Sequence, residues 1–368
     1  MTRRTFLEGL GAAGVGLLSG CEVSEMARFV DDSRVDVRIG VLANTAVAWI
    51  AGTKMLEKAF RYYRQMNVAA VVITGAVTQN GYKNQYEVLD QVWRKVFGAT
   101  PKARLILDEG PAEVSGFAFA VSRNAPTVKG ATLTFHGEWL NALTDERSFY
   151  DPDRNAVCAG SMCGVQIADG FHYGNRLSKG ELVVPCAQGL LVSVYGPKVA
   201  IRRLDFTPAS PVNEKPRRDE VYAEDVGSEL VLDRDAPFER KPSRAPEFWD
   251  DTTIKVLPGY AGDKRIFTVQ WPSVQARFTG VRAFCYEVLA HLVKPGETAP
   301  GRAFRRRNVL SSGFLLAESR DNKAVTSVFP RESFQKAIDG SSAVVVSVAP
   351  IGPFGDRGKP VFSAPFEP

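Results

Sequence analysis

Strands and helices alternate along the first third of the chain, and this alternation limits the fold more than any other feature. Apolar runs rich in β-branched residues predict strands at 36–44, 68–74 and 104–107. Between them, 53–67 and 83–97 carry apolar side chains at helical spacing, which predicts two amphipathic helices. Strands joined by helices are typical of a layered α/β domain with a parallel sheet.

The pattern changes to short strands in the rest of the chain. Apolar runs between 182 and 204 predict that the α/β half, residues 35–206, ends in a β-rich layer. Residues 207–246 are rich in Pro and in charges of both signs, and we interpret them as an extended surface linker. From 247 to 368 only strand-like runs occur, at a spacing typical of a β-sandwich: 254–257, 266–271, 281–289, 325–329 and 343–349.

Residues 1–21 have the layout of an export signal. Arg3 and Arg4 precede a short apolar stretch rich in Gly and Ala, which is typical of twin-arginine export. The stretch ends in Leu-Ser-Gly-Cys, which resembles a bacterial lipobox and implies lipidation of Cys21. We therefore expect a lipoprotein held at a membrane of the bacterial cell envelope; the alternative is an ordinary signal peptide in which Cys21 occurs by chance.

Charge and motifs exclude several classes of function. The net charge is +5 without a long Lys/Arg block, so we expect no nucleic-acid partner. Neither a Gly-x-x-x-x-Gly-Lys loop nor a Gly-x-Gly-x-x-Gly motif after a strand is present. Around Ser161 the second glycine comes one residue too late for the Gly-x-Ser-x-Gly turn of a serine hydrolase.

Several of the predicted strands are followed directly by a short polar or glycine-containing segment, and the order of these segments along the chain is informative. They are VLANTA at 41–46, GAVTQNG at 75–81, LILDEG at 105–110, TFHGEW at 134–139 and LTDERS at 143–148. Together with LLVSV at 190–194 and RRLDF at 202–206, this order resembles the calcineurin-like metallophosphoesterases. The resemblance implies a layered β-sandwich core flanked by helices.

The same resemblance implies that the metal-ligand positions have been lost. Where the family has Asp and His ligands, this chain has Asn44, Ala46, Ala76, Glu138 and Leu140. A two-metal phosphoesterase needs converging carboxylates and imidazoles to hold its ions. We therefore expect no cofactor and a catalytically dead pseudoenzyme that acts in binding or scaffolding, with an envelope polymer or protein as its partner.

A rebuilt metal site is the alternative. Asp108, Glu109, His136 and Glu138 follow or lie on neighbouring predicted strands, and together they would hold divalent metal and make the chain an active phosphoric ester hydrolase. Each residue also has a structural explanation. Asp108 and Glu109 suit a helix N-terminus, Glu138 suits a solvated loop, and His136 and His172 suit hydrogen-bonded structural roles.

Three cysteines in the first half allow three interpretations. Cys158, Cys163 and Cys186 could form a zinc site with a nearby His, but the gap from Cys158 to Cys163 is longer than the usual ligand pair. A disulfide within the trio is favoured over zinc, and three buried free thiols are favoured over a disulfide.

The last third resembles a fibronectin type III-like sandwich. The resemblance rests on SVAPIGPFGDRGKP at 347–360, as a last-strand region, and on FCYEV at 284–288, as a middle strand. Exposed aromatic residues there would indicate a carbohydrate- or peptidoglycan-binding protein. Trp249 is a candidate, whereas Trp271, followed by Pro272, is expected to fill the core. The arginines at 302 and 305–307 are interpreted as a solvated loop; the alternative is contact with an anionic lipid or polymer.

Overall fold

The structure is a computed structural model that describes most of the chain after residue 34. The described residues are 35–48, 53–99, 101–107, 110–122, 133–137, 142–149, 156–208, 221–227, 229–233, 244–274, 281–294, 297, 300–315, 324–340 and 342–368. The predicted signal segment with Cys21 lies outside them.

The described elements up to residue 233 are mostly strands. In chain order they are β1 (Val37–Ala43), α1 (Lys54–Gln65), β2 (Ala70–Thr74), α2 (Lys83–Phe97), β3 (Arg104–Ile106), β4 (Gly110–Val114), β5 (Phe117–Ser122), β6 (Thr134–His136), β7 (Ala156–Cys158), β8 (Val165–Gln166), β9 (Phe171–Tyr173), β10 (Arg176–Leu177), β11 (Val183–Val184), β12 (Gln188–Tyr195), β13 (Lys198–Asp205), β14 (Glu224–Asp225) and β15 (Leu230–Asp233).

Both predicted helices are confirmed. Helix α2 covers the predicted residues, and α1 ends at Gln65 because Asn67 adopts a left-handed φ of 53°, a conformation common just past a helix end. The buried side of α1 consists mainly of aromatic rings, and α2 adds Leu89 and Trp93. None of the described helices is long and apolar enough to cross a membrane.

Seven strands form the central sheet of the first half, in the order β14-β13-β12-β1-β2-β3 with β15 also paired to β13. β1, β2 and β3 run parallel, as the strand–helix alternation predicts, and β12 and β13 run antiparallel to their neighbours. The parallel strands carry continuous apolar runs because both faces of the sheet are covered.

The two helices cover one face of this sheet. Leu42, Val71 and Ile73 belong to a buried cluster with helix residues that include Phe60 and Tyr63. Close packing requires Gly40, because a Cβ there would lie 2.6 Å from the Tyr63 ring. The buried Tyr63 hydroxyl reaches the carbonyl oxygens of Val41 and Leu190, at 3.2 and 2.9 Å, and so links α1 to two strands.

A four-stranded sheet, β4-β5-β6-β7, covers the other face. Ile39 and Val41 of β1 share one buried cluster with Phe119, Phe135 and Val157 of the smaller sheet. In the described part of the first half, helices, a seven-stranded sheet and a four-stranded sheet are therefore stacked in that order.

The connecting segments contain more strand than expected. Gly110–Val114 is strand β4, so the helix expected to begin after positions 108 and 109 is not formed there. The predicted linker also contains β14 and β15, both paired to β13. These short strands cover what would otherwise be an exposed edge of the sheet, and partly buried Leu230 and Leu232 pack against its core.

The remaining described elements are almost entirely strands. They are β16 (Lys255–Ala261), β17 (Lys264–Trp271), β18 (Cys285–Val293), β19 (Ala303–Leu310), β20 (Val325–Pro330), α3 (Gln335–Asp339), β21 (Ala343–Ile351) and β22 (Val361–Phe362). They form two sheets, β16-β17-β20 and a larger sheet in which β18 lies between β19 and β21. Trp271 is 1% exposed in the shared core, as predicted.

The two halves share a sheet, which the predicted boundaries at 206 and 247 do not anticipate. β9 lies within the first half of the sequence but pairs in parallel with β19, and β10 extends the same sheet. Side chains reinforce the junction. The Phe171 and Phe284 rings meet edge to face at 5.5 Å, and the Arg147 guanidinium lies 4.4 Å from the Phe284 ring centre.

This junction predicts coupled unfolding of the two halves. Phe284→Ala should lower the free energy of unfolding by about 2–4 kcal/mol, because it removes an aromatic side chain packed between the halves. Phe362→Ala, at a half-exposed ring on β22, should cost less than about 1 kcal/mol. Calorimetry should show one transition that shifts as a whole in Phe284→Ala. Two transitions, only one of which moves, would contradict the coupling.

Candidate functional site

Three backbone segments meet at one edge of the central layers. Asn44 follows β1, Gly75 follows β2 and Gly137 follows β6. A Cβ on Gly75 would lie 2.9 Å from the Gly137 carbonyl oxygen, and a Cβ on Gly137 would lie 3.0 Å from Gly75 Cα. The two glycines therefore allow the backbones of the two sheets to touch at the position where the resemblance places a metal pair.

The side chain of Asn44 joins these segments. Its Nδ2 donates to the Gly137 carbonyl at 2.7 Å, and its Oδ1 accepts from the Ala76 N–H at 3.1 Å. The residue is 7% exposed and has a φ of 52°, which Asn tolerates better than most residues. Its own carbonyl accepts from the Cys163 thiol at 2.8 Å. We call Asn44 with Ala76, Gly137 and Cys163 the Asn44 network.

The loops after β1 and β2 are also bonded directly to each other. Ala46 N–H donates to the Ala76 carbonyl at 2.8 Å, and Val47 N–H donates to the Val77 carbonyl at 3.1 Å. The Thr45 hydroxyl donates to the same Val77 carbonyl at 2.6 Å. The polar groups at this edge thus satisfy one another, as buried backbone groups require.

These residues do not fit a pair of catalytic metal ions. Ala46 and Ala76 have no side-chain donor atom, and both polar atoms of the Asn44 amide already have backbone partners. Divalent ions in such sites are held by carboxylates and imidazoles, whose charge and basicity a carboxamide lacks. Within the described part of the chain, no group of three or more His, Cys, Asp or Glu is placed to hold a metal.

The residues of the predicted rebuilt site are only partly described. Asp108, Glu109 and Glu138 lie outside the described residues, as does the lost ligand position Leu140, so the rebuilt site stays a prediction. His136 is the last residue of β6 and is 3% exposed. Its register partners are Ser122 of β5 and Cys158 of β7, and its carbonyl accepts from Ala159 N–H at 2.9 Å. His136 is therefore built into the smaller sheet.

All three cysteines of the first half are free thiols. Cys158 is buried and Cys186 is partly buried, whereas Cys163 is exposed as a residue although its thiol lies against the Asn44 carbonyl, so the expectation of three buried thiols is confirmed at Cys158 alone. Burial raises the pKa of Cys186 to about 12, with Asp205 and Cys163 as further causes, and burial also raises the pKa of Cys163. Neither thiol is an activated nucleophile at neutral pH.

His172 and the arginine cluster lie at the junction between the halves. His172 is on β9, and its pKa is lowered by burial and by the charges of Arg307 and Arg305. Arg305, Arg306 and Arg307 lie on strand β19, so the predicted loop is wrong for them, although Arg305 and Arg306 are exposed to solvent as expected. Arg307 donates to the Val328 carbonyl at 2.6 Å and lies 4.0 Å from the Phe329 ring centre.

No family model and no curated protein matches the chain. Among solved structures, the chain is similar to Vps29, which has a calcineurin-like metallophosphoesterase fold. Vps29 from Chaetomium thermophilum is 11% identical with a TM-score of 0.32, over 55% of this chain and all of that one. Vps29 from Cryptosporidium parvum is 10% identical with a TM-score of 0.30, over 54% of this chain and 99% of that one.

The sequence indicated the position of Asn44 but not its hydrogen bonds. The available signal was the pair of glycines, Gly75 and Gly137, each directly after a strand. A glycine at such a position indicates that two backbone segments approach closely. An amide side chain beside it can donate a hydrogen bond to one segment and accept one from the other.

The Asn44 network predicts that Gly75 and Gly81 respond differently to the same substitution. Both have left-handed φ values, 70° and 74°, but a Cβ on Gly75 would lie 2.4 Å from Asn44 Oδ1, whereas one on Gly81 would meet nothing within 4 Å. Gly81→Ala should cost about 1–2 kcal/mol from backbone strain alone. Gly75→Ala should cost a further ~1–3 kcal/mol because the amide must move. Urea denaturation measures both; equal costs would contradict the network.

Proposed function

We propose that the chain is an exported lipoprotein whose first half has the metallophosphoesterase type of fold without a working metal centre. Its role is binding or scaffolding in the bacterial cell envelope. The observation that carries the proposal is the Asn44 side chain, which bonds two backbone segments at the edge where the motif order places the ions.

The chemistry of the amide supports this proposal. An aspartate at position 44 would accept hydrogen bonds and hold a cation, but it could not donate to the Gly137 carbonyl. Asparagine donates to the Gly137 carbonyl, accepts from the Ala76 N–H, and is uncharged. The edge is therefore held together by neutral hydrogen bonds, so the chain does not depend on ions to bring these segments together.

The rebuilt site has less support. Of its four residues only His136 is described, and it is buried within a strand whose neighbours at that position are Ser122 and Cys158. A catalytic metal needs several converging protein ligands and one open coordination position. One histidine does not make such a site, and the other three residues of the rebuilt site stay a prediction.

Metal content is the direct test of the proposal. The full chain, purified after growth with manganese, iron and zinc, should contain far less than one ion per molecule by mass spectrometry, because the ligand charges that hold such ions are missing. It should also lack metal-dependent hydrolysis of bis(p-nitrophenyl) phosphate.

Asp108→Ala and His136→Ala serve as paired variants in that test. Neither should change the metal content or the rate, whatever its effect on stability. Two ions per molecule with hydrolysis lost in Asp108→Ala would overturn the proposed loss of the metal centre. One ion lost in His136→Ala would favour the rebuilt site.

The lipid anchor predicts a difference between two cysteines. Cells labelled with radioactive palmitate should incorporate label into the wild-type chain and place it in the membrane fraction. Cys21→Ala should abolish both, because the acyl chains supply the membrane affinity. Cys163→Ser, which removes the thiol but keeps a donor to the Asn44 carbonyl, should leave labelling unchanged. Label retained in Cys21→Ala would show that Cys21 is not the lipidated residue.

A further inference from the structure

A cavity of about 500 Å³ lies beside the three-stranded sheet of the second half. Its lining includes the segment that leads into β16 and the end of β17. The volume falls in the range of sites that take small organic ligands. None of its residues belongs to the Asn44 network, so its function is independent of the metal question in the first half.

One wall of the cavity is the indole ring of Trp249, which is 56% exposed. The segment that carries it is fixed rather than loose. Its neighbour Phe248 stacks on the Tyr286 ring at 5.9 Å, and the Trp249 carbonyl accepts from Thr252 N–H at 3.0 Å in a turn. Trp271 borders the cavity from below, where its ring is 1% exposed and packs 5.4 Å from the same Tyr286 ring, so it supports the wall from the core. The aromatic wall is thus preorganised.

Polar residues of complementary character also line the cavity. Asp251 is an acceptor, Lys255 is a donor, and Gln270 is both. Lys255 and Gln270 are register partners on β16 and β17, so their side chains lie side by side. The threonines at 252 and 253 add hydroxyls. One acidic and one basic group leave the lining without net charge, which does not suit a strongly anionic ligand.

We propose that this cavity binds a neutral sugar ring of an oligosaccharide or polysaccharide. The face of an indole carries negative potential that attracts the C–H groups on one face of a pyranose. Each hydroxyl at the edge of a sugar ring both donates and accepts hydrogen bonds. Side chains that together supply donors and acceptors therefore match it. An exposed tryptophan held in place by its neighbours loses little entropy when a ligand stacks on it.

The test uses two uncharged tetrasaccharides, one of N-acetylglucosamine and one of glucose. Either should bind the full chain saturably by calorimetry and change its tryptophan fluorescence. Trp249→Ala should weaken binding roughly tenfold or more, because the stacking surface is lost. Asp251→Asn, which keeps the shape but removes the charge, should weaken binding by a smaller factor.

Tyr260→Ala is the matched control, since Tyr260 is a 74% exposed aromatic residue at the other end of β16, outside the cavity. It should bind the sugars as the wild type does. Failure of both tetrasaccharides to bind, or equal affinity in Trp249→Ala and wild type, overturns the proposal. Equal losses in Trp249→Ala and Tyr260→Ala also overturn it, because the sugar would then contact the strand and not the cavity.

Discussion

The carboxamide of Asn44 supplies the hydrogen bonds that close the edge of the first half. One side chain donates to the backbone after β6 and accepts from the backbone after β2, so it joins the two packed sheets at their common edge. The neighbouring features follow from this contact. Gly75 and Gly137 must lack side chains for the segments to approach, and the loops after β1 and β2 then bond directly to each other. A neutral network stands where the motif order implies metal ions.

A second constraint is that one sheet edge in each half is covered by an added strand. The β13 edge of the central sheet is covered by β14 and β15, which come from a segment of mixed charge and high Pro content. The β19 edge of the second half is paired with β9, which comes from the first. Unpaired strand edges promote association with other chains, so these additions protect both sheets. The pairing of β9 with β19 also joins the two halves.

Local patterns in the sequence predicted the elements well and their long-range partners poorly. The apolar spacing of 83–97 predicted α2, and the continuous apolar runs around Val41 and Val72 predicted parallel strands, because burial on both faces leaves that signature. β9 and β15 have only three and four residues, too few for a periodic signal, and their place depends on edges far away in the sequence. The Asn44 hydrogen bonds were not predictable for the same reason, since Gly137 is 93 residues away.

The central claim is that Asn44 holds backbone groups and not metal. A crystal soaked in Mn²⁺ and measured at an energy where manganese scatters anomalously would test it directly. We expect no anomalous peak beside Asn44, with its amide still bonded to Gly137 and Ala76. A peak about 2 Å from Asn44 Oδ1, the length of a metal–oxygen bond, with the amide turned away from Ala76, would contradict the account.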